Sequence, residues 1–367
     1  MRLGIDVSIL DQLEAQDPHY YHEGKEIEPI SYFHDHNGVD LMRLRLWLDP
    51  YDEKGTPYGA GTNDLPCFLR LARRGIEAGY GILLDFHYSD FWVDPAKQFI
   101  PKAWQNFTYE EVVKAVGDYT RETLQKIKAE GIDLYAIQVG NEITHGMLWP
   151  HGSVHPETTL YGFDHLSEIL KAGLAACKEV YPKAKTVLHL EHSGSKELQE
   201  TWLREVIGRD VEFDVLGESY YPYWHGSMKD LAANIDNIHA LFNKEVWIVE
   251  VGYAYCPAKR DGKRGLANLI DDDFYATHSR DQVPYPFTQE GQRDFFLELF
   301  DLCKKHEVTA VFYWEPLWID LPHNGWAGEA GQAYIHEEGD AETNEWANQL
   351  LFDEKGNATL AFDVYKV

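Results

Sequence analysis

The chain has 367 residues, enough for one large α/β barrel, a fold that commonly takes about 250 residues or more as a single domain. Its formal net charge of -28, from 61 acidic and 33 basic residues, opposes binding to polyphosphate, polyuronide or anionic lipid, so neither nucleic acid nor a membrane is expected as a partner. Hydrophobic residues at 44% supply an ordinary globular core, and an aromatic content of 14%, with 11 Trp and 22 Tyr, suits stacking against flat sugar faces.

Along the chain, short β-branched apolar runs alternate with segments of helical periodicity, the pattern of a parallel sheet wrapped by helices. Strands are predicted over residues 3–8, 41–47, 81–88, 134–142, 186–192, 215–221, 246–253 and 310–316. Eight such units predict a (β/α)8 TIM barrel, read as one domain spanning residues 1–367. Helices are expected at about 66–78, 109–131, 163–181, 228–243 and 289–306; in the second, Val112, Val116, Leu124 and Ile127 form an apolar stripe. Two long connections, 90–108 and 254–288, follow the third and seventh strands, on the face where barrel enzymes place their sites. The opening MRLGIDVSIL lacks the pattern of an export signal, which predicts a cytoplasmic protein or one whose signal has been removed. Cys67, Cys177, Cys256 and Cys303 are widely spaced and read as free thiols.

The polar residues at the strand ends are Asp6, Arg43 or Arg45, Asp85 and His87, Asn141 and Glu142, His189 and Glu191, Glu218 with Tyr220 and Tyr221, Glu250, and Trp314 with Glu315. Two stand out. In AIQVGNEITHG an apolar strand breaks into Asn141-Glu142, and in WIVEVGY Glu250 interrupts another, three strands later. Strands four and seven lie on roughly opposite sides of a barrel mouth. Their carboxylates can therefore face each other as glycosidic cleavage requires, at about 5 to 5.5 Å for retention or about 6.5 to 9.5 Å for inversion. Tyr220 and Tyr221 are adjacent, so strand alternation aims one of them into the cleft and leaves open which.

The strings GIDVSILDQLE, LLDFHYSDFWVDPAKQFIPKAW, QVGNEITHGMLWPHG, ESYYPYWHGSM and FYWEPLWI together resemble the arabinogalactan endo-β-1,4-galactanases of glycoside hydrolase family 53. The resemblance implies a retaining glycosidase, with Glu142 as general acid/base and Glu250 as nucleophile, acting on β-1,4-galactan or galacto-oligosaccharide. Asn141 is then the donor to the sugar 2-hydroxyl, and Arg45 is expected to pair with Glu250 and lower its pKa. His87 and Asp90 become substrate contacts, and Trp314 becomes the floor under the sugar at the scissile bond. Trp92, Trp149 and Trp224 are candidate platforms. A monomer without cofactor is expected.

Two stretches depart from the family pattern. The fifth strand ends LHLEHSG, bringing Glu191 and His192 to the rim, and the 254–288 connection is unusually charged. Asp271, Asp272 and Asp273 in that connection are the candidate ligands should calcium bind. Rival readings are a related β-glycanase or an exo- or oligosaccharide-acting galactanase, a metal-dependent barrel hydrolase and a non-catalytic carbohydrate-binding barrel. For the second of these, the closest metal-like spacing, His34 and His36, falls in a predicted helical connection.

Overall fold

The computed structural model describes all residues except 156–161, 259–267, 269, 337–343 and 367. Eight parallel strands close into a barrel: β1 (Arg2–Asp6), β2 (Leu41–Leu46), β3 (Gly81–Phe86), β4 (Leu134–Val139), β5 (Lys185–Leu190), β6 (Val215–Tyr220), β7 (Glu245–Val251) and β8 (Ala310–Trp314). Each pairs with its sequence neighbours, and β1 closes on β8. Every expected strand is present. Each stops one to three residues before its expected end, because the terminal polar residues lie in turns, among them Tyr88, Glu142, His192 and Glu315 in left-handed backbone.

The expected helices form as Leu65–Glu77, Tyr109–Ala129, Gly162–Val180, Met228–Phe242 and Gln289–Lys305. Tyr109–Ala129 begins in a capping box, in which the Thr108 hydroxyl accepts from Glu111 N–H and the Glu111 carboxylate accepts from Thr108 N–H. A further helix, Lys196–Ile207, fills the crossover from β5 to β6. No helix among the described residues is long and apolar enough to cross a membrane.

The barrel interior explains where the site sits. Inward residues at the lower end are apolar, with Leu41, Leu83, Ala136, Val187, Val215 and Phe312 among them. Gly4 leaves room for the Phe312 ring, which a Cβ there would meet at 2.2 Å. Two residues further along β1 to β5 the inward row turns polar, with Asp6, Arg43, Asp85, Gln138 and His189, and in β6 Ser219 does so four residues beyond Val215. The apolar layer seals the bottom, so ligands can enter only from the carboxyl end.

Strand β7 breaks this parity. Trp247 and Val249 face the interior while Val246 and Ile248 pack against the helices, so an unbroken strand would turn Glu250 outward. The pairing with β6 instead joins Glu218 to Ile248 and Ser219 to Glu250, stepping over Val249, and the register with β8 shifts over the same stretch. A bulge therefore re-aims Glu250 into the barrel mouth.

Candidate active site

Above the polar layer lies a cleft of ≈ 660 Å³, reached by Glu142 and Glu250 and walled by Trp92, Trp314, Trp326 and Trp346. Glu250 accepts from Arg43 Nη1 at 2.8 Å and from the Tyr221 hydroxyl at 3.1 Å. Tyr221 is thus the inward ring. Tyr220 faces the helices instead, stacking on Phe295 at 6.3 Å and donating to Gly226 O at 3.3 Å, so its assignment to the substrate is corrected by strand alternation. Glu218, on the same outward row, accepts from Gln199 at 2.7 Å.

The cation of the site is Arg43. Fully buried, it donates to Asp6, Asp85, Glu250 and Asn141 at 2.8 to 2.9 Å and to Gln138 Oε1 at 3.2 Å. Arg45, expected in that role, lies one inward step higher and meets Glu315 at 2.7 Å, with its guanidinium 4.5 Å from the Trp92 ring centroid. It lines the cleft but does not pair with Glu250. The expected lowering of the Glu250 pKa is also corrected. Burial pushes it up to about 7 and outweighs Arg43, whose own charge is shared with Asp6 and Asp85.

Glu142 is held differently. Its pKa stands well above the usual carboxylate range because of burial first and the Glu250 and Glu191 charges next. Its contact is a neutral hydroxyl, Ser219 Oγ, which lies 2.7 Å from Glu142 Oε1 and 2.9 Å from His189 Nε2. A hydroxyl carries one proton. With Glu142 ionised, Ser219 donates to it, His189 donates from Nε2, and Nδ1 accepts from Glu142 N–H at 3.4 Å, with Gln138 Nε2 also 3.2 Å away. Protonation of Glu142 lets the chain run the other way, with Nδ1 donating to Asn141. The network can therefore serve either protonation state of Glu142. The φ of 50° at Glu142 sets its carboxyl over this network, in backbone that a non-glycine residue adopts at a cost of about 1–3 kcal/mol.

Other expected contacts divide. His87 lines the cleft, but the Trp47 indole donates to its Nδ1 at 3.0 Å and its Nε2 donates to Asp85 at 3.0 Å, so both nitrogens are engaged within the protein. Asp90 does not reach the cleft. It accepts from Lys102 N–H at 2.7 Å and anchors the 90–108 connection. Trp149 lines a separate, smaller pocket with Phe99 and Tyr334. Trp92 and Trp314 are at the cleft as expected, and Trp224 stands 39% exposed at its edge.

Sequence reasoning passed over Ser219, Gln138, Trp326 and Trp346. Inward parity from Arg43 and Asp85 could have found the first two; the two tryptophans come from the long segment after β8, where only tertiary packing brings them back. Trp326 stacks on Trp92 at 4.5 Å, Trp346 meets Trp314 edge-on at 4.7 Å, and the Trp346 Nε1 is buried without a hydrogen-bond partner.

Of the expected calcium ligands, Asp271 caps the helix Asp272–Thr277 by accepting from Phe274 N–H, while Asp272 and Asp273 are exposed. Residues 259–267 and 269 of that connection lie outside the described residues. His34 and His36 lie in the helix Pro29–Asn37 that precedes β2, away from the strand ends.

The sequence profile of glycosyl hydrolase family 53 matches residues 2–365. An arabinogalactan endo-β-1,4-galactanase of Cellvibrio japonicus is 30% identical over 99% of this chain and 90% of its own length. An endo-β-1,4-galactanase of Bacillus subtilis is 29% identical over 99% of this chain and 85% of its own. The solved catalytic domain of a family 53 protein from Ignisphaera aggregans superposes with a TM-score of 0.87 at 33% identity, covering 99% of this chain and 94% of that one. With eight strands, a sealed barrel floor and two unlike carboxylates at the mouth already in place, these matches make the chain a member of glycosyl hydrolase family 53.

Proposed function

We propose that this protein is a retaining endo-β-1,4-galactanase, cleaving the β-1,4-galactosidic bonds of galactan or arabinogalactan by double displacement. The observation that carries the reading is the unequal anchoring of two carboxyls in one aromatic cleft, Glu142 on a neutral Ser219–His189 chain and Glu250 on Arg43 and Tyr221. Unlike environments of this kind make an acid of one carboxyl and an anion of the other. The names of the relatives supply the substrate class.

In the first step Glu142 gives its proton to the glycosidic oxygen while Glu250 attacks the anomeric carbon from the opposite face. The carbon–oxygen bond breaks, the 4-hydroxyl of the leaving chain departs, and the sugar is left esterified to Glu250. In the second step Glu142, now ionised, takes a proton from water. The water oxygen attacks the anomeric carbon, and Glu250 leaves as carboxylate. Asn141 uses one amide proton on Val93 O at 3.1 Å, so the other serves the sugar 2-hydroxyl. Trp314 and Trp326 give the sugar a stacking surface.

The test is incubation with galactan, xylan, mannan and β-glucan, following product size and the anomeric proton signals of the first products. Galactan alone should give short oligosaccharides whose new reducing ends appear first as the β-anomer. Silence on galactan, or an α-anomer at the outset, would overturn the reading.

A further inference from the structure

The end of β5 is the region of the cleft that glycoside cleavage leaves unexplained. Glu191 is almost wholly buried, yet only one of its oxygens is satisfied: Oε2 accepts from the Thr144 hydroxyl at 2.7 Å, and Oε1 has no hydrogen-bond partner. An unsatisfied buried carboxylate oxygen calls for a ligand. His192 Nε2 lies 3.6 Å from that oxygen, and His145, at the end of the turn that follows Glu142, completes a group whose ligand atoms all lie within 4.8 Å of one another.

We propose that His145, Glu191 and His192 form a binding site for a divalent transition-metal cation of the zinc type, on the cleft wall beside Glu142. Two imidazoles and one carboxylate are a standard zinc donor set, and bonds of about 2.0–2.2 Å place tetrahedral ligand atoms about 3.5 Å apart. The separation of 3.6 Å between His192 and Glu191 already has that value, so closure asks only a small movement of His145. Thr144 serves as the outer partner that orients the carboxylate. His192 holds a φ of 60° just beyond the end of β5. The remaining coordination positions face the cleft, since Glu191 and His192 line it.

A second group among the described residues, His22 with His36 and Asp363, is a weaker candidate. Both nitrogens of His22 are already engaged, by Tyr32 at 2.9 Å and Asp363 at 3.0 Å. A cation held there lies on the cleft wall beside Glu142, so binding inhibits hydrolysis whatever the polysaccharide.

The experiment is calorimetric titration of the chelator-treated enzyme with Zn²⁺, paired with Co²⁺ absorption spectra. One Zn²⁺ per chain is expected, with a Co²⁺ visible band typical of low coordination, and inhibition by Zn²⁺ rising with occupancy. His192→Ala and Glu191→Gln should each weaken binding by at least about tenfold, since even loss of an outer partner costs about that much. Glu191→Gln keeps the shape of the buried side chain, so it serves if an alanine variant fails to fold. Absence of saturable binding would overturn the proposal. So would binding unchanged in both variants, or binding lost in His36→Ala alone.

Discussion

Glu142 and Glu250 both lose water in the cleft, and burial raises the proton affinity of both, yet they are held on opposite principles. Around Glu250 the polar groups are charged: one guanidinium serves three carboxylates, and a phenol adds a fourth contact. Around Glu142 they are neutral: a serine, a histidine that burial keeps uncharged, and an asparagine. The lesson is that burial alone does not divide an acid from a nucleophile. The charge of the partner does, because a cation stabilises the anion directly, while a hydroxyl can serve either protonation state by turning its proton round.

Removing the group that bonds to carbon has the largest effect. Glu250→Gln should lower kcat by on the order of 10⁴-fold or more on polymer and on activated aryl galactoside alike, measured by steady-state kinetics. Glu142→Gln should cost about 10²–10⁴-fold on polymer but far less on an aryl galactoside whose leaving group needs no proton. Equal loss on both substrates would mean that the two carboxyls do not have separate roles.

Arg43→Met tests the charged side as a unit. It strands Asp6, Asp85 and Glu250, and should destabilise the fold by about 3–5 kcal/mol in denaturant titration. In the folded fraction, loss of the cation raises the Glu250 pKa further. The acid limb of kcat/KM, which falls as Glu250 takes up a proton, should move to higher pH. Ser219→Ala is the smallest change. The Ser219 hydroxyl holds the Glu142 pKa down, so its removal raises that pKa and moves the alkaline limb, where the acid loses its proton, to higher pH. The rate should change by less than about tenfold, the scale of one hydrogen bond. An alkaline limb moving downward would mean that the Ser219 hydroxyl accepts from Glu142 instead of donating to it.

The barrel was legible because each strand is a short apolar run followed by a helix of clear period, and those signals are local. The strand ends were legible as chemistry because Glu142 and Glu250 interrupt hydrocarbon. The choice between neighbours was not. Arg43 and Arg45 share one inward row, and only the depth of each in the barrel determines that the lower one meets Glu250 and the upper one Glu315. Asp90 and Trp149 stand in strings rich in site residues, yet the 90–108 connection folds back and uses Asp90 to hold itself.

By itself, then, the sequence determined the architecture, the face that carries the site and the two carboxylates, since period, turn residues and a charge set in an apolar strand are properties of neighbouring residues. Tertiary structure alone decided the bulge at Val249 that turns Glu250 inward, the choice of Tyr221 over Tyr220, and the return of Trp326 and Trp346 to the cleft. These depend on register and on contacts between residues far apart in the chain, which no local pattern encodes.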